Sequence, residues 1–565
     1  MILRVFSFLN ELHGLKNLSL MMIFTLIFVF LEVFGLGFFI LIILEILSTE
    51  NSLCNNSESI FFNIAHFTNL CSDSELSSKL FFVIFFFFLK FSIQSLIIIY
   101  KSKFLSNGIF KFIELNILRI LKIKVDNIEE QDFFKDNNTL IKEADILFNS
   151  FFNKFFDCLT EVLIFSLLIL FLVIYDTKNF LLILLILPFC YFYFFSFSNR
   201  TKKSGENRQL SLTKLNQKFY NIFKNKRIIE ILSREKYTAK SFVDNLKIYR
   251  KSTFYHFSII YLPRVILENF LFILISLVVI LSINFTSRDQ TLSIFTIYGL
   301  VFVRLIPSIN RIKNSLDTLL FRLNSFNLVH EVNSRYKHLS IDNSDNTISL
   351  DFENSLIEID NLTITTNKKI FTNANLNLKK NKFHCITGPS GSGKSTLLNF
   401  LCGFKKAESF TVNKKIENND KYLKIIDTSY LSQKIFFEDT TLIDNLLMGE
   451  EKNEINNNKI IELMKKLNLE NFISELDKKV EFDGSNFSLG EQQRFLIIRS
   501  ILKNPKVLIL DEPFSSLDEE NQKNLIKFLM EYKNKFTLIM STHVNFSNDL
   551  FDLNFEIKDK KLERL

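Results

Sequence analysis

The chain has 565 residues, 48% of them hydrophobic and 66 of them Phe, with no Trp. That is too long for one core; roughly three or four domain equivalents would fit. A net charge of +8 is modest. Its placement says more than its sum, and no nucleic acid is expected as a partner. The six cysteines lack the spacing of a metal site.

Apolar residues gather in the first 310 positions. Six segments of spanning length lie near 19–46, 79–100, 158–176, 180–198, 258–283 and 291–307. A helix needs about 20 apolar residues to cross a bilayer. Runs such as Phe81-Phe82-Val83-Ile84-Phe85-Phe86-Phe87-Phe88-Leu89 have no polar face, which rules against helices of a soluble core. The first run is too long for a secretory signal and has no small-residue cleavage site.

Charge orients these segments. The loop 48–78 holds four acidic residues and no Lys or Arg, and is expected outside. The stretch 198–256 holds fifteen Lys/Arg against four Asp/Glu, and is expected in the cytoplasm. Tight turns near Asp176-Thr177-Lys178 and Thr286-Ser287-Arg288 then lie outside, with both termini inside. Cys54 and Cys71 flank the outer loop and could pair in an oxidising compartment. Leu115–Phe156 and Leu210–Arg250 have helical periodicity, with Phe219, Ile222 and Phe223 on one face. They read as membrane helices prolonged into the cytoplasm.

Five ionisable residues fall inside the spans: Glu32, Lys90, Arg264, Glu268 and Arg304. Charge there is costly and needs a reason. Internal pairing is one reading, Arg264 with Glu268 at i, i+4 being an example. A partly cationic substrate cavity using Arg264 and Arg304 is the other.

From about residue 350 the pattern turns α/β. Residues 1–310 are therefore assigned to a six-helix membrane domain, 311–349 to an Asn- and Ser-rich linker, and 350–565 to a soluble domain. Gly388-Pro389-Ser390-Gly391-Ser392-Gly393-Lys394-Ser395-Thr396 fits G-x-x-x-x-G-K-[ST]. Only 13 glycines occur in the chain, yet three fall within these six positions, 388–393. They let successive N–H groups face one anion at a helix start. Lys394 adds a point charge for the outer phosphates, and the Ser395 hydroxyl can ligate Mg²⁺. Further on, Val507-Leu508-Ile509-Leu510-Asp511-Glu512 reads as a buried parallel strand ending in two acids. Asp511 would hold Mg²⁺, and Glu512 would orient and deprotonate an attacking water. The motif set predicts an ATPase with Mg²⁺.

Between these motifs lies Asn486-Phe487-Ser488-Leu489-Gly490-Glu491-Gln492-Gln493-Arg494. This resembles the signature of ATP-binding cassette (ABC) proteins. The resemblance covers the second half. It implies that Gln433 is the Q-loop glutamine that senses Mg²⁺, that Asp518 in Ser515-Ser516-Leu517-Asp518 belongs to the D-loop, and that His543 is the switch histidine at the γ-phosphate. The signature departs from Leu-Ser-Gly-Gly-Gln at Leu489 and Glu491. Leu362-Thr363-Ile364-Thr365-Thr366-Asn367 lacks the aromatic on which the family stacks adenine.

In this family one cassette's signature, here Ser488, Leu489, Gly490 and Glu491, completes the P-loop site of another. One cassette and six spans per chain thus imply a homodimeric exporter in a bacterial inner membrane, its cassettes cytoplasmic. Pro263-Arg264-Val265-Ile266-Leu267-Glu268 and Arg304-Leu305-Ile306-Pro307-Ser308-Ile309-Asn310-Arg311, with Glu32, resemble PglK-type flippases. That resemblance implies a lipid-linked oligosaccharide as substrate. A phospholipid, another glycolipid, a peptide or a drug stays open, as does a nucleotide-driven regulator or channel that transports nothing.

Overall fold

The computed structural model describes residues 2–47, 76–127, 136, 139–175, 198–283, 288–341, 347–351, 356–366, 368–413, 416–481, 484–543 and 550–565. Cys54, Cys71 and most of the segment 180–198 lie outside them. The chain divides into two units, residues 1–121 with 130–338 and residues 122–129 with 339–565.

The first unit is helical. A short amphipathic helix α1 (Ile2–His13) is followed by α2 (Leu15–Leu47), α3 (Leu76–Lys122) and α4 (Asn153–Tyr175), the last entered through π-helical turns Thr139–Glu143 and Leu147–Phe152. Then come α5 (Ser198–Lys224), α6 (Lys226–Ile231), α7 (Glu235–Ile283) and α8 (Arg288–Ile341). Three described segments are long and apolar enough to cross a membrane: Leu15–Ile40, Val83–Lys122 and Thr139–Val173. Much of their apolar surface faces outward, Phe85, Phe88 and Phe91 each being more than half exposed. A helix apolar on all faces is suited to lipid rather than to water.

Phe packs where α1 meets the bundle. Phe8 lies within 6.1 Å, ring to ring, of Phe112, Phe152 and Phe326. Glu11 on the same helix pairs with Arg119 at 3.3 Å and Lys337 at 3.0 Å, which fixes α1 from its polar side. The expected connection at 311–349 is largely helix. α8 runs through Pro307 as far as Ile341. Its polar residues find partners: Lys313 with Asp317 at 2.8 Å, both fully buried, and Asn333 with Asn116 and Arg119.

The second unit holds two sheets. One has the order β1 (Thr347–Leu350), β6 (Ile416–Ile425), β5 (Cys402–Val412), β2 (Leu356–Thr365), β3 (Lys369–Lys379). The other has the order β11 (Lys561–Arg564), β10 (Leu553–Lys558), β4 (Phe383–Thr387), β9 (Thr537–Ser541), β8 (Val507–Asp511), β7 (Thr428–Leu431). In this sheet all pairs but β10–β11 are parallel. β8 and β9 are buried at every position, which is why they read as unbroken apolar runs. Helices α9 (Lys394–Leu401) and β2, β3 and β5 pack one apolar cluster, including Leu398, Ile359 and Phe410. Helices α10 (Leu442–Leu447), α11 (Glu454–Lys466), α12 (Leu489–Leu502) and α13 (Glu519–Glu531) pack another through Leu446, Leu463, Phe495 and Leu525. Each such buried side chain contributes about 1.5–3 kcal/mol.

Residues 122–129 join this unit through the 3₁₀ turn Val125–Asn127. The Asp126 carboxylate accepts from the Lys405 ammonium and from the Lys406 amide. Lys124 lies 5.3 Å over the Tyr422 ring.

Candidate nucleotide site

The loops that follow β4, β7, β8 and β9 all leave the C-terminal ends of neighbouring parallel strands, where such sheets place their ligands. After β4, the P-loop turns through Gly388, Gly391 and Gly393, all with positive φ. At Gly393, φ is +105°, and a Cβ would lie 2.4 Å from the Ile370 side chain, so only glycine fits. Helix α9 starts at Lys394, with the Leu397 amide donating to the Gly393 carbonyl. Its Nζ donates to the Gly388 and Pro389 carbonyls at 2.9 and 3.2 Å, curled over the loop. Burial pulls this ammonium below the ordinary lysine value, although Glu512 and Asp511 oppose the shift.

After β8, Asp511 is almost fully buried and accepts from Ser541 Oγ at 2.6 Å. Glu512 follows with φ +52°, unusual for a residue with a side chain. Its backbone is held by Ser541: the Glu512 N–H donates to the Ser541 carbonyl and hydroxyl. Gln493 Nε2 donates to the Glu512 carbonyl at 3.2 Å. The Glu512 carboxylate lies 2.6 Å from His543 Nε2 and 3.8 Å from Lys394 Nζ. Thus Lys394, Asp511, Glu512 and His543, spread over 149 residues, meet at one end of the sheet. Gln433 is exposed in the loop after β7, and Asp518 caps α13 by accepting from the Asn521 amide.

An anion and a hard cation fit these residues. The loop turns through three positive-φ glycines, the buried Ser392 hydroxyl has no partner among the described residues, and a buried carboxylate stands at the strand end. The signature residues are not drawn into this cluster. Ser488 and Leu489 are exposed at the start of α12, and a Cβ on Gly490 would lie 2.9 Å from the Ser516 carbonyl.

The ABC transporter family model matches residues 371–515, a span that includes the P-loop, the signature helix and β8. The chain carries an ABC transporter ATP-binding domain. It is 34% identical over 203 residues to the lacticin-481/lactococcin-DR transport/processing ATP-binding protein of Lactococcus lactis, covering 35% of this chain and 28% of that protein. It is also 34% identical over 183 residues to ABC transporter B family member 14 of Arabidopsis thaliana, covering 31% of this chain and 14% of that one. The chain therefore spans under a third of either relative. A solved structure of a bacterial Atm1-family ABC exporter with ATP bound superposes with TM-score 0.69 over 97% of this chain and 94% of that chain, at 13% identity. The fold is that of an ABC exporter: an apolar helical domain followed by the ATP-binding cassette.

The proposed cavity cations fare differently. The side chains of Arg264 and Glu268 lie outside the described residues. Arg304 is only 12% exposed and sits 3.1 Å from Glu32 and 3.5 Å from Glu161. Glu32 also takes Lys90 at 3.0 Å and Gln94 at 3.1 Å. Glu161 binds Arg311 at 2.8 Å and Ser308 at 2.6 Å. Internal pairing therefore accounts for Glu32, Lys90 and Arg304. Sequence reading passed over Glu161, although an acid inside the apolar run 158–176 was the same signal that singled out Glu32. It also passed over Arg311 as a cavity residue. That side chain is 57% exposed and lines a cavity of ≈ 260 Å³ with Lys101, Lys154, Asp157, Phe28 and Ile97.

Proposed function

We propose that two copies of this chain form an ATP-driven exporter in a bacterial inner membrane, and that its substrate is a lipid-linked oligosaccharide. The meeting of Lys394, Asp511, Glu512 and His543 at the P-loop carries the ATPase reading. The Glu512 carboxylate takes a proton from the attacking water as the water oxygen bonds to the γ-phosphorus and the bond from that phosphorus to the β–γ bridging oxygen breaks, its electron pair leaving with ADP. His543, in contact with that carboxylate, orients it. Lys394 and the P-loop amides hold the phosphate charge. Ser395, Gln433 and Asp511 would hold Mg²⁺, which neutralises phosphate charge when bound.

The dimeric reading is supported by the exposed Ser488 and Leu489, which among the described residues lie outside the nucleotide cluster of their own chain. The substrate reading rests on the flippase resemblance, and is supported by a cavity that sets Arg311, paired with Glu161, and Lys101 and Lys154, both paired with Asp157, beside apolar Phe28 and Ile97. A pyrophosphate with a polyprenyl tail has that mixture of needs. The second reading is a peptide, favoured by the likeness to the lacticin-481/lactococcin-DR transport/processing protein.

Purified chain in phospholipid vesicles tests both. Hydrolysis stimulated by a polyprenyl-pyrophosphate glycan, but not by phospholipid or a cationic peptide, is the expected result. Stimulation by the peptide alone overturns the glycan reading.

A further inference from the structure

β9 carries the apolar run Leu538-Ile539-Met540 and then ends on Ser541. That residue is fully buried, and the strand register sets it directly beside Asp511 at the end of β8. A serine hydroxyl has one proton to give and lone pairs to accept with. Here the proton goes to Asp511 Oδ1 at 2.6 Å, and the oxygen accepts from the Glu512 N–H at 3.0 Å. One side chain thus holds both acids. Glu512 needs holding, because a residue with a side chain leaves a φ of +52° when nothing retains it. Its N–H is retained by the Ser541 hydroxyl and carbonyl, and its own carbonyl by Gln493 Nε2 at 3.2 Å.

We propose that Ser541 is a positioning residue for ATP hydrolysis, its hydroxyl fixing the aim of the Glu512 carboxylate against the strand that carries Asp511. This rests on the reading of Glu512 as the base for the attacking water. The carboxylate stands at the end of a long side chain, so a small turn of the backbone becomes a large displacement at the oxygen that must meet the water. It sits 2.6 Å from His543 Nε2 and 3.8 Å from Lys394 Nζ. Without the hydroxyl, the Glu512 N–H keeps only the Ser541 carbonyl at 3.2 Å, and Asp511 Oδ1 loses the donor it had. Among the described residues the Ser541 side chain makes no hydrogen bond to the P-loop. Its loss therefore slows the chemical step and spares nucleotide affinity.

The test uses the full-length chain in phospholipid nanodiscs. Equilibrium binding of a fluorescent ATP analogue gives the number and affinity of nucleotide sites, and phosphate release gives turnover per site. Ser541→Ala should slow turnover per site by about tenfold or more, with analogue affinity within about twofold of wild type. Threonine and valine share a shape and differ in the hydroxyl, so Ser541→Thr should turn over about fivefold or more faster than Ser541→Val. A residue that only supported the fold would change the number of sites and not the turnover of each. Affinity that falls in step with turnover in Ser541→Ala overturns the proposal, as does a Ser541→Thr chain no faster than Ser541→Val. Glu512→Gln, measured beside them, separates the two readings. If it hydrolyses ATP at the wild-type rate, the base assignment fails and the proposal falls with it. A slow Glu512→Gln beside a Ser541→Ala chain of normal turnover overturns the proposal alone.

Discussion

Glu512 is held in a left-handed backbone conformation by two hydrogen bonds from its N–H to Ser541. Such backbone costs about 1–3 kcal/mol and persists where surroundings over-determine it. Glu512→Gln keeps the shape and removes the base. ATP hydrolysis should fall by about 10²-fold or more while ATP binding persists, measured by steady-state phosphate release and nucleotide retention. The nucleotide base is treated differently from the phosphates. β2 ends at Thr365 and Thr366 follows it, and the side chains against Gly393 are Ile370 and Phe371, whose ring is fully buried. Without an exposed aromatic platform there, selectivity should be weak. GTP is expected to be hydrolysed with kcat/KM within about tenfold of ATP, since one aromatic pair is worth only about 0.5–1.5 kcal/mol. A much larger preference for ATP would refute this. At His384, fully buried between strands, burial holds the imidazole below its ordinary value. The unfolded ring gains a proton near pH 6.5 and the folded ring does not. His384's contribution to cassette stability is therefore complete above that pH and declines as pH falls below it; His384→Gln should flatten this part of the dependence in chemical denaturation at pH 5 to 7.

At the scale of elements, the nucleotide site was legible because its signals are local. Glycine spacing, a strand before and a helix after are contained within Phe383–Leu401, and the strand ending in Asp511 and Glu512 is equally self-contained. What escaped sequence reading depends on partners far apart in the chain. Asp126 and Lys405 are separated by 279 residues, and Glu161 and Arg311 by 150. No periodicity announces such pairs. The helix through 311–341 was also hidden, because Asn and Ser favour turns when exposed. Here Asn333, Ser315 and Lys313 are buried on α8. Asp126→Ala removes the carboxylate that grips Lys405 and the Lys406 amide. Residues 122–129 should then become a protease-sensitive point, with cleavage at Lys122 or Lys124 by trypsin rising severalfold over wild type. Unchanged digestion would show that the clasp contributes nothing.

For the whole molecule, the network of Glu32, Lys90, Arg304, Glu161 and Arg311 ties α2, α3, α4 and α8 together. Breaking one member of a buried ionic set leaves uncompensated charge and costs about 3–5 kcal/mol. Glu161→Ala should lower the unfolding midpoint of the detergent-purified chain more than Arg311→Ala does, since Arg311 is half exposed and can turn to water. α8 has a further consequence. At 1.5 Å per residue its 54 residues make a rod about 80 Å long, against about 30 Å of hydrocarbon in a bilayer. Pro307 lies inside that rod and removes one of its backbone hydrogen bonds without ending it. Any turn of this helix about its own axis would swing the Arg304 guanidinium against Glu32.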